Sequence, residues 1–336
     1  MPTIREVAKR AGVAPITVSR VVNDSGYVSE KTRARVEAII EELGYVPNML
    51  GPSLRFKQTK TLAVVITDIT NPFWTTVTRG VEDVAQANGY STILCNTDES
   101  ETKQEQYMQM LLRRQIDGIL LVPASSKAEP IRMIQNQGIP VVLLDRQVNG
   151  IDVDIVRADS EEGAYRLTQH LISLGHQNIA MLAGPKDIST SVDRVNGYRR
   201  ALEDAALKSN IDQIYWGNFT QEAGYEMALI VADLKPRPTA LFAANNFIAI
   251  GAILALKEKG LRVPEDMALV TIDDIPPPYT LEPFLTVATQ PAREMGRQAA
   301  QLLFARIKGE GDLPCRKVVL PTEMIIRTSS GDCVNA

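Results

Sequence analysis

Histidine and cysteine are scarce in this chain of 336 residues, and their scarcity removes whole classes of chemistry. Two histidines, His170 and His176, offer little for general-base work or for a catalytic metal. His176, in LGHQNIA, reads as a structural residue whose ring bonds the last carbonyls of the preceding helix, and His170 as a residue facing solvent or packing on its neighbour. The three cysteines, Cys95, Cys315 and Cys333, are an odd number at no metal-like spacing, which points to a reducing, cytoplasmic setting. Cys95 falls in an expected strand and Cys333 in a polar tail. No apolar run approaches the ~20 residues that span a bilayer, and the N-terminus lacks the basic patch and apolar core of a secretion signal. No GxGxxG follows a strand, and GxxxxGK[ST], GxSxG and HExxH are missing. Neither an enzyme, a cofactor, a metal nor a membrane is expected.

What the chain does hold is unevenly distributed. Its length implies two or three domains, and a hydrophobic share of 45% is ample for their cores. Residues 1–60 carry a net charge of +4, and the remainder carries −8. A small basic head on an acidic body suits phosphate contact by the head alone. In that head, Thr3 and Glu6 form a capping box that starts a helix over 4–11, and Gly12 stops it. Pro15 opens a second helix, with Val18, Val21 and Val22 on one stripe. Asn23–Gly26 break the chain, and a third helix runs from the Ser29 cap to Leu43 with Val36, Ile39, Ile40 and Leu43 inward. Helix, short turn, helix and supporting helix make a helix-turn-helix unit.

From Thr61 the pattern changes to short apolar runs alternating with amphipathic helices. LAVVI, STILC, GILLV and PVVLLD are separated by helices near 73–88, 102–114 and 127–137, and IAMLAG, IYWG, ALFAAN and MALVTID repeat the pattern. Such alternation means parallel sheets with helices on both faces, and two sets mean two lobes. Ligands of open α/β sheets bind beyond the carboxyl ends of the strands. The residues at that edge are Asn71, Phe73 and Trp74 after the first strand, Asp145 and Arg146 after PVVLLD, Asn245 after ALFAA, Asp273 after MALVTI, and Gln290 ending TVATQ. Arg194 and Phe219 are expected in loops at the same edge. Carboxylates, guanidinium groups and amides bracket hydroxyls, and aromatic rings carry the apolar faces of a sugar.

IREVAKRAGVAPITVSRVVN, VSEKTRARVEAIIEELGYVPN, TNPFW, DGILLVP, GIPVVLLDR, LGHQNIAMLAGP, RVNGYRRAL, FAANN, GLRVPEDMALVTIDD, TVATQP and LPTEMIIR resemble, in order, segments of the lactose and galactose repressor (LacI/GalR) family, from about Thr3 to Arg327. The resemblance implies an all-α helix-turn-helix DNA-binding domain over 1–46 and a hinge or linker over 47–60. It further implies an α/β two-lobed effector domain of the periplasmic-binding-protein-like type I class over 61–330, with parallel sheets, and a polar tail over 331–336. The chain is expected to cross between lobes near Asp159, Gln290 and Leu320, giving a first lobe of about 61–158 and 291–318 and a second of about 159–290 and 319–330. By the same resemblance Pro15, Ile16 and Arg20 read bases, and Thr17 and Ser19 suit phosphates. Thr3, Asn23, Tyr27 and Asn48 complete the expected DNA contacts with Leu54, which matches a leucine that wedges into the minor groove from a hinge helix. Gly51 and Pro52 weaken that helix, by about 1 and up to about 3 kcal/mol, so a plain flexible linker stays open.

The edge residues match ligand-contact positions of sugar-binding relatives, and the aromatic pair with the Asp–Arg dipeptide is most similar to ribose binders. A pentose such as ribose leads, with a hexose, sugar acid or sugar phosphate as alternatives. The departures Asn246, Thr271 and the IPPPY tract lie beside that edge, where the family usually has aspartate, glycine and no such tract. The expected protein is a sugar-responsive repressor that binds a palindromic operator in double-stranded DNA as a homodimer. The rival, a sugar carrier, has no use for the head.

Overall fold

A computed structural model of the chain describes residues 2–46, 58–207, 212–275, 282–309 and 314–331. Asn48, Leu54, Gly51, Pro52 and Cys333, most of the IPPPY tract and the greater part of the expected hinge lie outside the described residues. Two compact units emerge, Met1–Thr59 and Lys60–Ala336, and each is described by itself.

The first unit is three helices: α1 (Ile4–Ala11), α2 (Pro15–Val22) and α3 (Glu30–Leu43). The Thr3 capping box is complete: Thr3 N–H donates to Glu6 Oε2 at 2.6 Å, and Thr3 Oγ1 accepts from Glu6 N–H. Gly12 ends α1 at φ +62°, a left-handed conformation that glycine adopts without steric cost. Val7, Ala8, Ala11, Val18, Val21 and Val36 form the core. Val22, Ile39, Ile40 and Leu43 pack against it while staying half-buried, because so small a domain has too little interior to enclose them all.

The second unit holds two six-stranded sheets. In chain order its elements are β1 (Thr61–Ile66), α4 (Pro72–Ala87), β2 (Ser91–Asn96), α5 (Glu101–Arg113), β3 (Gly118–Leu121), α6 (Glu129–Gln135), β4 (Val141–Leu144), β5 (Asp154–Ala158), α7 (Ser160–Ser173), β6 (Ile179–Ala183), α8 (Ser189–Asp204) and β7 (Ile214–Trp216). These are followed by α9 (Gln221–Ala232), β8 (Ala240–Ala243), α10 (Asn246–Glu258), β9 (Ala268–Ile272), β10 (Thr286–Thr289), α11 (Ala292–Ile307), β11 (Lys317–Leu320) and β12 (Glu323–Ile325). The sheets run β11-β5-β4-β3-β1-β2 and β12-β10-β9-β8-β6-β7, the same order twice. Every pairing is parallel except β10 with β12.

The strands read as unbroken apolar runs because both faces of each sheet are covered. On β1, Leu62, Val64 and Ile66 meet Val77 and Val81 of α4 and Met295 and Leu303 of α11. Ala63 and Val65 point the other way, into the cluster of Met108, Leu111, Ile131 and Ile134 from α5 and α6. Helix α11 comes from far along the chain yet packs on the first sheet, and two glycines let it do so. A Cβ on Gly80 would lie 2.0 Å from the Arg293 carbonyl oxygen, and one on Gly296 would lie 2.0 Å from that of Val77. The chain therefore passes between the sheets after β5, after β10 and between β11 and β12. Strand β11 keeps Val319 and Leu320 in the first sheet, two residues beyond the expected 318.

Both histidines are structural, though not with the expected partners. His176 Nδ1 is 2.9 Å from Thr239 Oγ1, and the ring also bonds the Ser330 backbone. His170 is half-buried with its Nε2 3.0 Å from Ser330 Oγ. A hydroxyl on the neighbouring strand connection and the returning C-terminal segment thus take the place of helix-end carbonyls and of solvent.

Candidate functional site

Strand ends of both sheets and the starts of α4, α8 and α10 converge on one cleft between the carboxyl edges of the two sheets. Asn71, Phe73, Trp74, Asp145, Arg146, Arg194, Phe219, Asn245, Asp273 and Gln290 all line it. Arg194 is the one whose local structure differs from expectation: it sits in the second turn of α8, not in a loop. The run RVNGYRRAL places Val195, Tyr198, Ala201 and Leu202 on the buried stripe of a helix, and Arg194 leads that stripe toward the cleft.

Two aspartates end corresponding strands, Asp145 after β4 and Asp273 after β9, at φ +63° and +65°. Aspartate tolerates this left-handed conformation better than most residues. Burial pushes the Asp273 carboxyl up to about 6, against the pull of Arg194 and of a 2.9 Å bond from Gln290 Nε2. Arg194 Nη1 donates to the Ala244 carbonyl at 2.8 Å. Arg146 is held by Glu99, with Nη1–Oε2 and Nη2–Oε1 both at 2.6 Å.

Phe219 lies between the two guanidinium groups, 5.5 Å from that of Arg146 and 5.7 Å from that of Arg194. Gly184 makes room for its ring, since a Cβ there would stand 2.3 Å from Phe219 Cζ. Phe73 and Trp74 pack edge to face, ring centres 4.6 Å apart, at the start of α4. Five buried polar atoms of the lining have no protein partner: Thr67 Oγ1, Asp145 Oδ1, Arg146 Nε, Arg194 Nε and Gln290 Oε1. They supply acceptors and N–H donors beside the aromatic rings of Phe73, Trp74, Phe219 and Phe247, which is the chemistry of a polyhydroxylated ring.

Contacts between the lobes close around this cleft. Asn71 Nδ2 donates to Asn246 Oδ1 at 3.0 Å, and Asn246 Nδ2 returns a bond to Asn71 Oδ1 at 3.2 Å. The Gln147 N–H donates to Ser189 Oγ at 2.8 Å, and Arg157 pairs with Asp193. The departure at Asn246 is thus an amide in a reciprocal pair that a carboxylate would not complete. Thr271 is fully buried in β9.

Thr67, Asp68, Glu99, Thr190 and Phe247 also line the cleft, and sequence reasoning missed them. The strand-end rule held the signal for the first three, which follow β1 and β2 directly. Phe247 follows the capping Asn245 by two residues, and Thr190 lies in the first turn of α8.

In the head, Pro15, Ile16, Arg20, Asn23, Tyr27 and Thr3 are exposed, and Thr17 and Ser19 are half-buried. Ile16 is 56% and Tyr27 90% exposed. Three members are already engaged: Thr3 in its capping box, and Asn23 with Ser19, whose carbonyl and hydroxyl accept from Asn23 Nδ2 at 2.8 and 3.2 Å. Among the described residues no group of His, Cys, Asp and Glu could hold a metal ion, and no helix is long and apolar enough to cross a membrane.

Comparison with known proteins agrees with both units. Residues 3–48 match the family of bacterial regulatory proteins of the lacI type, and residues 59–328 match periplasmic binding proteins and the sugar-binding domain of the LacI family. The HTH-type transcriptional repressor PurR of Vibrio atlanticus (strain LGP32) is 37% identical over 309 residues, 92% of each chain. The lac repressor dimer bound to operator and the anti-inducer ONPF superposes with a TM-score of 0.84 at 26% identity, covering 98% of this chain and 99% of that one. A LacI-family transcriptional regulator from Enterococcus faecium with bound ribose superposes with a TM-score of 0.73 at 31% identity, covering 82% of this chain and 100% of that one. The chain therefore belongs to the LacI family, as a transcriptional repressor built from a helix-turn-helix head and a two-lobed domain of periplasmic sugar-binding type.

Proposed function

We propose that the cleft binds a small sugar, with a pentose such as ribose as the lead ligand, and that its occupancy sets the affinity of the head for operator DNA. The observation that carries this reading is the convergence of four aromatic rings and five unpartnered buried polar atoms on one cleft. A sugar satisfies both sets at once, stacking its apolar face while its hydroxyls donate and accept. The ribose held by the Enterococcus faecium regulator supports a pentose.

The protein acts as a homodimer in the cytoplasm, with two heads reading the halves of a palindrome, as the operator-bound lac repressor dimer supports. The hinge over 47–60 joins head to lobes, with Asn48 and Leu54 as its DNA contacts. Pro15, Ile16 and Arg20 read base edges, Thr17 and Ser19 hold phosphates, and Thr3, Asn23 and Tyr27 flank them. Ligand works by differential affinity for two arrangements of the lobes; in the arrangement described, Asn71–Asn246 and Arg157–Asp193 join them. A coupling of about 1–3 kcal/mol changes operator affinity about 5–150-fold.

The test is a thermal-shift screen of the full chain against pentoses, hexoses and purine bases, followed by the hit in an operator mobility-shift assay. A pentose that raises the melting temperature and alters the retarded complex supports the reading. Stabilisation by a purine base alone, or an operator complex indifferent to every sugar, sinks it.

A further inference from the structure

We infer that Glu99 makes the cleft selective for an uncharged sugar and turns away phosphorylated and carboxylated analogues. The inference rests on the proposed reading of the cleft as a sugar site. Glu99 follows β2 and takes the outer edge of Arg146, both of whose terminal nitrogens donate to it at 2.6 Å. Arg146 Nη1 also donates to the Pro123 carbonyl at 3.1 Å. Guanidinium recognises a phosphate or carboxylate through a pair of parallel N–H groups along one edge. Here Glu99 already occupies the edge made by Nη1 and Nη2, while Nε is left without a protein partner. One N–H suits a hydroxyl or ring oxygen.

The surrounding charge acts in the same direction. The cleft is lined by four carboxylates, Asp68, Glu99, Asp145 and Asp273, against two guanidinium groups, Arg146 and Arg194. No lysine or histidine is among the described lining residues. The formal balance is −2, and protonation of Asp273 brings it only to −1. Arg194 has Asp273 and Asp145 as its electrostatic neighbours, so neither guanidinium has charge to spare for a dianion. Glu99 is the solvent-side member of its pair, its side chain 30% exposed against 5% for Arg146. An incoming anion therefore meets a carboxylate, and like charges at close range are strongly unfavourable.

The experiment is calorimetric titration of the full chain with D-ribose, ribose 5-phosphate and D-ribonate, for the native protein and for Glu99→Gln and Glu99→Asp, with melting temperatures to verify folding. The native protein is expected to prefer the free sugar over both anions by at least about tenfold, about 1.4 kcal/mol. Glu99→Gln removes the charge and loosens its hold on Arg146, so the anion-to-sugar affinity ratio rises by about tenfold or more. Glu99→Asp keeps the carboxylate and stays within roughly threefold of the native ratio. A native protein that takes ribose 5-phosphate or ribonate as tightly as ribose overturns the inference and leaves the sugar reading standing. Equal ratios in native protein and Glu99→Gln, or equal gains in both variants, overturn it as well. Folded protein that binds none of the three ligands overturns the sugar reading, and the inference with it.

Discussion

In the helical head, Ile16 is 56% exposed and Tyr27 90%, whereas none of the ten expected ligand contacts in the cleft exceeds 9%. The two regions solve different recognition problems. The head holds its core with Val7, Val18, Val21 and Val36 and leaves outside the side chains proposed to read DNA, a large and charged surface. The sugar proposed for the cleft is small and must be surrounded, and the cleft is lined by buried polar groups that the fold must also tolerate. Recognition and stability are therefore separable in the head and entangled in the cleft.

Arg194→Ala is where that entanglement has its largest expected effect. Arg194 is the cation that most offsets Asp273, it bonds the Ala244 carbonyl, and it covers one side of Phe219. Its removal leaves two buried carboxylates without their shared counter-charge, a loss of about 3 kcal/mol or more. Urea unfolding measures it. A shift below about 1 kcal/mol would mean that the cleft is as separable as the head.

Asp273 gives the comparison a pH dependence. Its carboxyl is raised from 3.8 to about 6 by burial, so between those values the folded state holds a proton that the unfolded state has released. Stability from this group is full at low pH and falls as pH rises through that window, by roughly 3 kcal/mol for the whole shift. Carboxylates such as Asp154 and Asp266, whose pKa is lowered, work in the opposite direction. The informative quantity is thus the difference between native protein and Asp273→Asn, followed by thermal unfolding between pH 4 and 7. Parallel curves for the two proteins would dismiss the assignment.

How far such features could be read beforehand depended on whether the cause was local. The Thr3 box, Gly12 and Pro15 act within one helical turn, and the three helices start and stop where those residues dictate. The strands were legible as apolar runs, and the side chains after them were legible as one edge. Arg194 was misplaced because DRVNGYRRAL is polar at most positions, and its buried stripe of Val195, Tyr198 and Leu202 is sparse. Glu99 stands three residues past β2, within reach of the strand-end rule, but its pairing with Arg146, 47 positions away, is one that no spacing announces. The histidine partners failed for the same reason, since Ser330 lies 160 positions from His170.

Arg20→Ala has the smallest expected effect on stability and tests the other side of the comparison. Arg20 is exposed near the end of α2, its stem passing over Gly26, where an added Cβ would be in ordinary contact with it at 3.5 Å. Unfolding free energy should stay within about 0.5 kcal/mol of native. Operator affinity should fall by about 1–3 kcal/mol, and only where the operator carries the guanine that Arg20 reads. Mobility-shift titrations on operators varied one base pair at a time separate this from a phosphate contact. A phosphate contact would weaken every operator alike and reduce the salt slope of binding by about one. Uniform weakening would move Arg20 from base reader to anchor, while a loss of stability would show that the head, too, has folded its recognition into its core.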